Sequence, residues 1–387
     1  MATLGLLAGV TVLLGIIAWR AVEFFAALEP VVASENRGER GPLVSVIVPA
    51  RNEAQNVARC LESVCRQDYR DLEILAIDDN STDDTPRILA EFAEHEPRLS
   101  VLAGAPLAPG WTGKNFALAQ AASRAQGEWL LFLDADTWLQ PGTIGAAVAH
   151  ATERKLGLLS LVTRQELAGF WERVIQPVVL LVIALALPLK AINDSRRPGV
   201  AYANGQFLLV RGSAYEKAGG HAAEPDSVVE DSALARAVKA AGFDVQLADG
   251  RGFVHVQMYR GLQQTWEGWS KNSFLSAGRR LRNVALLIVS ISALIVVPPV
   301  MLLVGLRELV SGSGASSGAV VTSAVAALQW ALAFYLTWRC EREVGVPGRY
   351  AFTAPLGAAM FNALLCYSAY RVISGHGVSW KGRRYQP

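Results

Sequence analysis

The sequence predicts an α/β fold built on a mostly parallel sheet, with membrane helices before and after it. Three observations predict this. Short apolar runs at Leu43–Val48, Leu72–Ile77 and Glu128–Leu133 alternate with helical spacing at Asn56–Arg66, Asp84–Ala93 and Phe116–Arg124, the pattern of βαβ units. Each apolar run ends in a polar cluster, and open α/β sheets bind ligands beyond the C-terminal ends of their strands. Finally, 52% of the 387 residues are hydrophobic and only 18% are charged, too apolar for a soluble domain of this size.

At the N-terminus, Met1–Trp19 is uncharged, and its first basic residue, Arg20, follows the apolar run. About 20 apolar residues span a bilayer. A secretory leader would carry its positive charge first, so residues 1–20 read as an uncleaved transmembrane anchor with the N-terminus outside. A polar linker, Glu35–Gly41, leads to an α/β domain over residues 43–282. Val284–Leu306, Ala319–Trp338 and Ala351–Ile373 have span length, so residues 284–373 read as C-terminal membrane segments. Gly312–Gly318 is a flexible Ser/Gly connection, and residues 374–387 form a basic tail.

Arg279, Arg280 and Arg282 stand just before the first of these spans, and basic juxtamembrane residues favour the cytoplasmic side. The expectation is an integral membrane protein with its α/β domain on the cytoplasmic face, at the inner membrane if the source is bacterial. The apolar stretch Val174–Leu189, interrupted by Gln176, Pro177 and Pro188, lies inside that domain. One crossing there would put acidic clusters that must cooperate on opposite sides, so an interfacial or re-entrant helix is expected. Three full crossings after a cytoplasmic domain would leave the basic tail outside, against the charge rule. Val284–Leu309, with Pro298-Pro299, is the segment expected to be re-entrant.

Several functions are excluded. A net charge of +2, without basic runs interleaved with aromatics, gives no field for nucleic acid. Cys60, Cys65, Cys340 and Cys366 form no CxxC and read as small buried or lipid-facing hydrophobes. No GxGxxG follows the first strand, which removes a dinucleotide oxidoreductase.

The polar clusters are Pro49-Ala50-Arg51-Asn52-Glu53, Asp78-Asp79-Asn80-Ser81, Asp134-Ala135-Asp136 and Glu230-Asp231. Two carboxylates at a strand end suit a hard divalent cation, Mg2+ or Mn2+, facing a diphosphate leaving group. Asp136 is the expected direct ligand, with Asp134 meeting ribose or the metal through water; a solvated turn is the plain alternative. Asp79 is placed to accept from a base edge, while Asp78 either contacts ribose or caps a turn. In Gly110-Trp111-Thr112-Gly113-Lys114-Asn115 the glycines permit close backbone approach, and Lys114 at a helix start can meet phosphate or base oxygens. Otherwise it is an exposed turn lysine. Glu230 and Asp231 open the helical stretch Ser232–Ala241, where ordinary capping competes with a catalytic reading.

Taken in order, these four motifs closely resemble the family 2 glycosyltransferases over roughly residues 43–282. GWxGK before an Ala-rich helix, and the tail Ser379–Tyr385, resemble the ceramide glucosyltransferase and carotenoid- or hopanoid-associated membrane branches. The resemblance implies a GT-A fold and a nucleotide diphosphate sugar as donor. By it, Pro49, Arg51, Glu53, Asp78 and Asp79 hold the nucleoside, Asp134 and Asp136 hold metal and diphosphate, and Asp231, with Glu230 beside it, is the catalytic base of an inverting transfer. Gly113 and Lys114 join the donor site.

Many relatives carry QxxRW further on, but here the chain reads Gln263-Gln264-Thr265-Trp266-Glu267-Gly268-Trp269-Ser270-Lys271. The departure weighs against a processive polysaccharide synthase. Trp266, Trp269 and Lys271 are either acceptor contacts or interfacial anchors, and His255 is a further candidate metal ligand. The reading that results is a hexosyltransferase acting on a lipophilic acceptor: a carotenoid, hopanoid, sphingolipid or polyprenyl phosphate. A polymerising synthase and a catalytically silent scaffold are the alternatives.

Overall fold

The computed structural model describes residues 2–33, 41–311, 317–381 and 383–385. Most of the expected linker Glu35–Gly41, residues 312–316 of the Ser/Gly connection, and Gly382 lie outside the described residues. The chain divides into two compact units. One comprises Leu28–Glu166 and Leu187–Met258; the other comprises Ala2–Ala27, Leu167–Ala186 and the chain from Tyr259 onward.

The first unit is a mixed α/β layer structure. Its strands are β1 (Val44–Ala50), β2 (Leu72–Asp78), β3 (Leu99–Ala103), β4 (Trp129–Leu133), β5 (Thr137–Leu139), β6 (Leu158–Val162), β7 (Arg164–Gln165), β8 (Phe207–Arg211), β9 (Val245–Asp249) and β10 (Val254–Val256). Seven of them form one sheet in the order β3-β2-β1-β4-β8-β6-β9, and β5-β10-β7 form a small second sheet. All neighbours in the large sheet are parallel except β8, which runs antiparallel to β4 and β6.

Alternation along the strands explains why both faces are apolar. Val44, Val46 and Val48 of β1, Ile74 and Ala76 of β2, and Trp129, Leu131 and Leu133 of β4 share one core. Ile47, Leu75, Ile77, Leu130 and Phe132 point to the other, where they meet Leu118 and Ala121 of the helix Gly113–Ala122 and Leu234 and Val238 of the helix Glu230–Ala240. A sheet covered on both faces needs near-continuous hydrophobic runs, as the sequence shows. The topology also sets the site. Leu133, the last residue of β4, pairs with Phe207, the first of β8, so the turn before β8 lies at the same edge as the ends of β1, β2 and β4.

The second unit is helical. Among the described residues, four stretches are long and apolar enough to cross a membrane: Gly9–Ala27, Leu281–Val310, Gly318–Glu343 and Gly348–Ile373. Pro298-Pro299 does not break the second of these. The chain runs from the helix Leu281–Ile291 through a π turn, Ser292–Val296, into the helix Val297–Val310. Pro298 and Pro299 stand in the first turn of that last helix, where a missing N–H is tolerated, and the chain stays helical through Val284–Leu309. The ambiguous stretch forms one helix, Phe170–Ala186, with Pro177 inside it. Buried Glu172 accepts the Gly261 backbone N–H and so ties that helix to the start of the helix Gly261–Ser276.

Candidate functional site

The loop after β1 and the loop after β2 are built on each other. Asn52 and Asn80 hold left-handed backbones, φ 51° and 54°, which asparagine tolerates better than other non-glycine residues. Arg51 Nη1 donates to the Asp79 and Asn80 carbonyls at 2.6 and 2.9 Å, so this guanidinium fixes the loop that carries Asp79. Asp79 is buried, its N–H donating to the Ala50 carbonyl at 2.7 Å. Asp78 Oδ1 accepts the Ser81 N–H at 3.2 Å, the turn-capping role. Glu53 is buried; its N–H donates to Thr85 Oγ1 at 2.8 Å and its carboxylate accepts Asn56 Nδ2 at 3.0 Å. Pro49 pairs in register with Ile77 inside the sheet.

Asp134 follows β4 by one residue and continues the face occupied by Leu130 and Phe132. The helices Gly113–Ala122 and Glu230–Ala240 pack on that face, so their first turns meet there. Lys114 Nζ lies 2.7 Å from Asp134 Oδ1 and 2.6 Å from Glu230 Oε1. The helix begins at Gly113, earlier than the Phe116 expected from spacing, which puts Lys114 in its first turn. Burial works against the Lys114 ammonium, but the Asp134 and Glu230 carboxylates outweigh it and raise its pKa well above the ordinary lysine value.

Asp231 is a perturbed carboxyl group of the cluster. Burial first, then the neighbouring Glu230 charge, push it up to about 7, with Lys114 and the N–H groups of Ser232 and Gly205 opposing. The Gly205 N–H donates to Oδ2 at 2.8 Å and the Ser232 N–H to Oδ1 at 2.6 Å. The group therefore stands near neutrality, where a general base works best.

The segment before this acidic pair is clamped to the lysine helix. Asn115 Nδ2 donates to the Glu224, Pro225 and Ser227 carbonyls at 2.9, 3.3 and 3.2 Å, and the Thr112 N–H donates to the Pro225 carbonyl at 2.9 Å. Sequence reading did not single out Gly205, Asn204, Tyr202 or His221. A Cβ at position 205 would stand 3.2 Å from Asp231 Oδ2 and 3.4 Å from Lys114 Nζ, so a side chain there would press on both charged groups. Asn204-Gly205, one residue before the apolar run Phe207–Val210, was the available signal. Tyr202 is raised by burial and by Asp231. His221, pushed down to about 4 by burial, is neutral and shares a hydrogen with Tyr215 at 2.9 Å.

Not every expected residue joins this cluster. Asp136 Oδ1 accepts the Thr137 hydroxyl at 3.4 Å, and the Asp136 carbonyl accepts the Gln257 N–H at 3.0 Å. His255, on β10, has Nδ1 2.8 Å from Glu166 Oε1 and Nε2 3.2 Å from Gln140, with its ring stacked on Trp138. Among the described residues, no three His, Cys, Asp or Glu side chains form a closed metal site. Trp266, Trp269 and Lys271 lie on the helix Gly261–Ser276 of the second unit. Trp269 is buried against Tyr259, with ring centroids 6.0 Å apart, and Trp266 packs 5.7 Å from Tyr367.

Residues 45–219 match the family model Glycosyl transferase family 2. The chain is 26% identical over 258 residues to the 4,4'-diaponeurosporenoate glycosyltransferase of Staphylococcus haemolyticus, covering 66% of this chain and 67% of that one. For the enzyme of the same name from Staphylococcus aureus the identity is 26% over 239 residues, covering 61% of this chain and 62% of the relative. A solved mannosyltransferase from Pyrobaculum calidifontis, in complex with GDP-Man and Mn2+, superposes with a TM-score of 0.51 at 18% identity, covering 94% of this chain and 98% of that one. The sheet order with its single antiparallel β8 agrees with these likenesses: residues 45–219 match a family 2 glycosyltransferase domain, and the fold is that of the GT-A glycosyltransferases.

Proposed function

We propose that this enzyme moves one hexose, with inversion, from a nucleotide diphosphate sugar to a lipophilic membrane acceptor, working on the cytoplasmic face. The observation that carries the reading is the Asp134–Lys114–Glu230 bridge beside the half-buried Asp231, whose carboxylate accepts the Gly205 and Ser232 N–H groups. The reading draws support from two carboxylates and an ammonium meeting at one sheet edge next to Asp231.

The donor's nucleoside lies over the loops carrying Arg51, Glu53, Asp78 and Asp79, with Asp79 accepting from the base. Its diphosphate lies toward Gly113, Lys114, Asp134 and Asp136. These residues fit a divalent cation, because the cluster already holds a positive charge between carboxylates and leaves further coordination to phosphate oxygens. Asp136 and Asp134 would hold Mg2+ or Mn2+, which when bound neutralises charge on the leaving diphosphate. Asp231 takes the acceptor hydroxyl proton as its oxygen attacks the anomeric carbon from the face opposite the diphosphate. The Gly205 and Ser232 N–H groups hold the carboxylate in place.

Two features support a lipophilic acceptor: the four span-length apolar helices, and relatives named for 4,4'-diaponeurosporenoate. Inverted membrane vesicles given labelled nucleotide sugar are expected to place one sugar per acceptor in the organic-extractable fraction, and right-side-out vesicles to place none. A water-soluble polymer would replace this reading with a processive synthase. Equal activity in right-side-out vesicles would move the site to the other face.

A further inference from the structure

The ammonium of Lys114 occupies one of the two carboxylates assigned to the metal. It also reaches Glu230, next to the base, so a single side chain joins the donor half of the site to the acceptor half. The two partners are not equally placed. Glu230 and Asp231 begin a helix, where the dipole favours negative charge, whereas Lys114 sits in the first turn of another helix, where the dipole opposes positive charge. The carboxylates are therefore at home at this edge, and the lysine is held there chiefly by them. Its side chain keeps 36% of its surface, Asp134 26% and Glu230 13%, so an incoming ion can reach the Asp134 end more easily than the Glu230 end.

We propose that Lys114 is the resident counter-cation of the donor site, displaced from Asp134 when a divalent cation arrives with its nucleotide diphosphate. The inference rests on the assignment of Asp134 and Asp136 to the metal. Without donor, Lys114 compensates Asp134 and pins Glu230. When a divalent cation takes over Asp134, the ammonium turns to the adjacent phosphate oxygens and lets go of Glu230. Donor binding thereby changes the charge around Asp231. No bond is made or broken in the exchange; charge on Asp134 stays compensated throughout.

The test is Mn2+ binding to the full-length protein in detergent, measured by titration calorimetry and by the loss of the free-ion paramagnetic signal, with no nucleotide present. Lys114→Met is expected to bind Mn2+ on the order of tenfold more tightly than wild type, because the competing charge is gone. Lys114→Arg, which keeps the charge, is expected to stay as weak as wild type and shows whether charge or packing is responsible if the Met variant is poorly folded. Equal Mn2+ affinity in wild type and Lys114→Met, with UDP or GDP binding weakened, would overturn the proposal and leave Lys114 a simple phosphate ligand. Absence of Mn2+ binding in every form, with and without UDP or GDP, would instead overturn the metal assignment itself and the proposal with it.

Discussion

Asp231→Asn is expected to lower turnover by about 10²–10⁴-fold, the usual worth of a general base, while nucleotide-sugar affinity stays at the wild-type value. The helix that Asp231 belongs to begins at Glu230 with Val229 at its cap, so Asp231 is a first-turn residue and its removal does not uncap the helix. Asparagine keeps one acceptor oxygen for the Ser232 or Gly205 N–H. The variant should also be no less stable. A carboxyl group whose folded pKa is raised contributes stability that is present below its unfolded value and lost as pH rises through about 7. At about pH 8 the wild type therefore bears an ionised, half-buried group that the amide removes, and thermal melting should show equal or higher stability for Asp231→Asn. Wild-type turnover in this variant would transfer the role to Glu230.

Asp136→Ala is expected to abolish transfer and to remove the dependence of nucleotide binding on Mg2+ or Mn2+, since it deletes the direct oxygen ligand. Asp134→Ala should act differently, because it also frees Lys114 from its 2.7 Å partner and so disturbs the acceptor side as well. Calorimetric titration of UDP and GDP with and without Mn2+ separates the two. Near-normal turnover of Asp136→Ala in a chelator would refute the assignment.

The sheet was legible in the sequence because its strands are buried on both faces, which makes Leu43–Val48, Leu72–Ile77 and Glu128–Leu133 stand out as apolar runs. The polar residues that end them were legible for the same reason: hydrophobicity stops where the strand leaves the core. β8 was not singled out, since Phe207–Val210 lies among glycines and small residues and its antiparallel direction leaves no mark on composition. Gly205 escaped with it. Its importance lies in a backbone N–H and in the absence of a Cβ beside Asp231 and Lys114, neither of which a residue pattern displays.

The Lys114 bridge was half legible. Its position at a helix start suggested an anion, and that anion was read as phosphate. Its protein partners, Asp134 and Glu230, are separated by nearly a hundred residues and come together only through the packing of two helices on one sheet face. Pro298-Pro299 suggested a reversal by helix propensity, but both stand in the first turn of a helix, where a missing N–H is tolerated.

The most direct test of the catalytic account is the pH dependence of turnover at saturating donor. Wild type is expected to lose activity tenfold per pH unit below an inflection near 7, where Asp231 takes up its proton. Glu230→Gln removes the adjacent charge that raises Asp231, so its inflection should move to lower pH, and the residual activity of Asp231→Asn should show no inflection there. An inflection near 7 that survives unchanged in Asp231→Asn would contradict the assignment of the base.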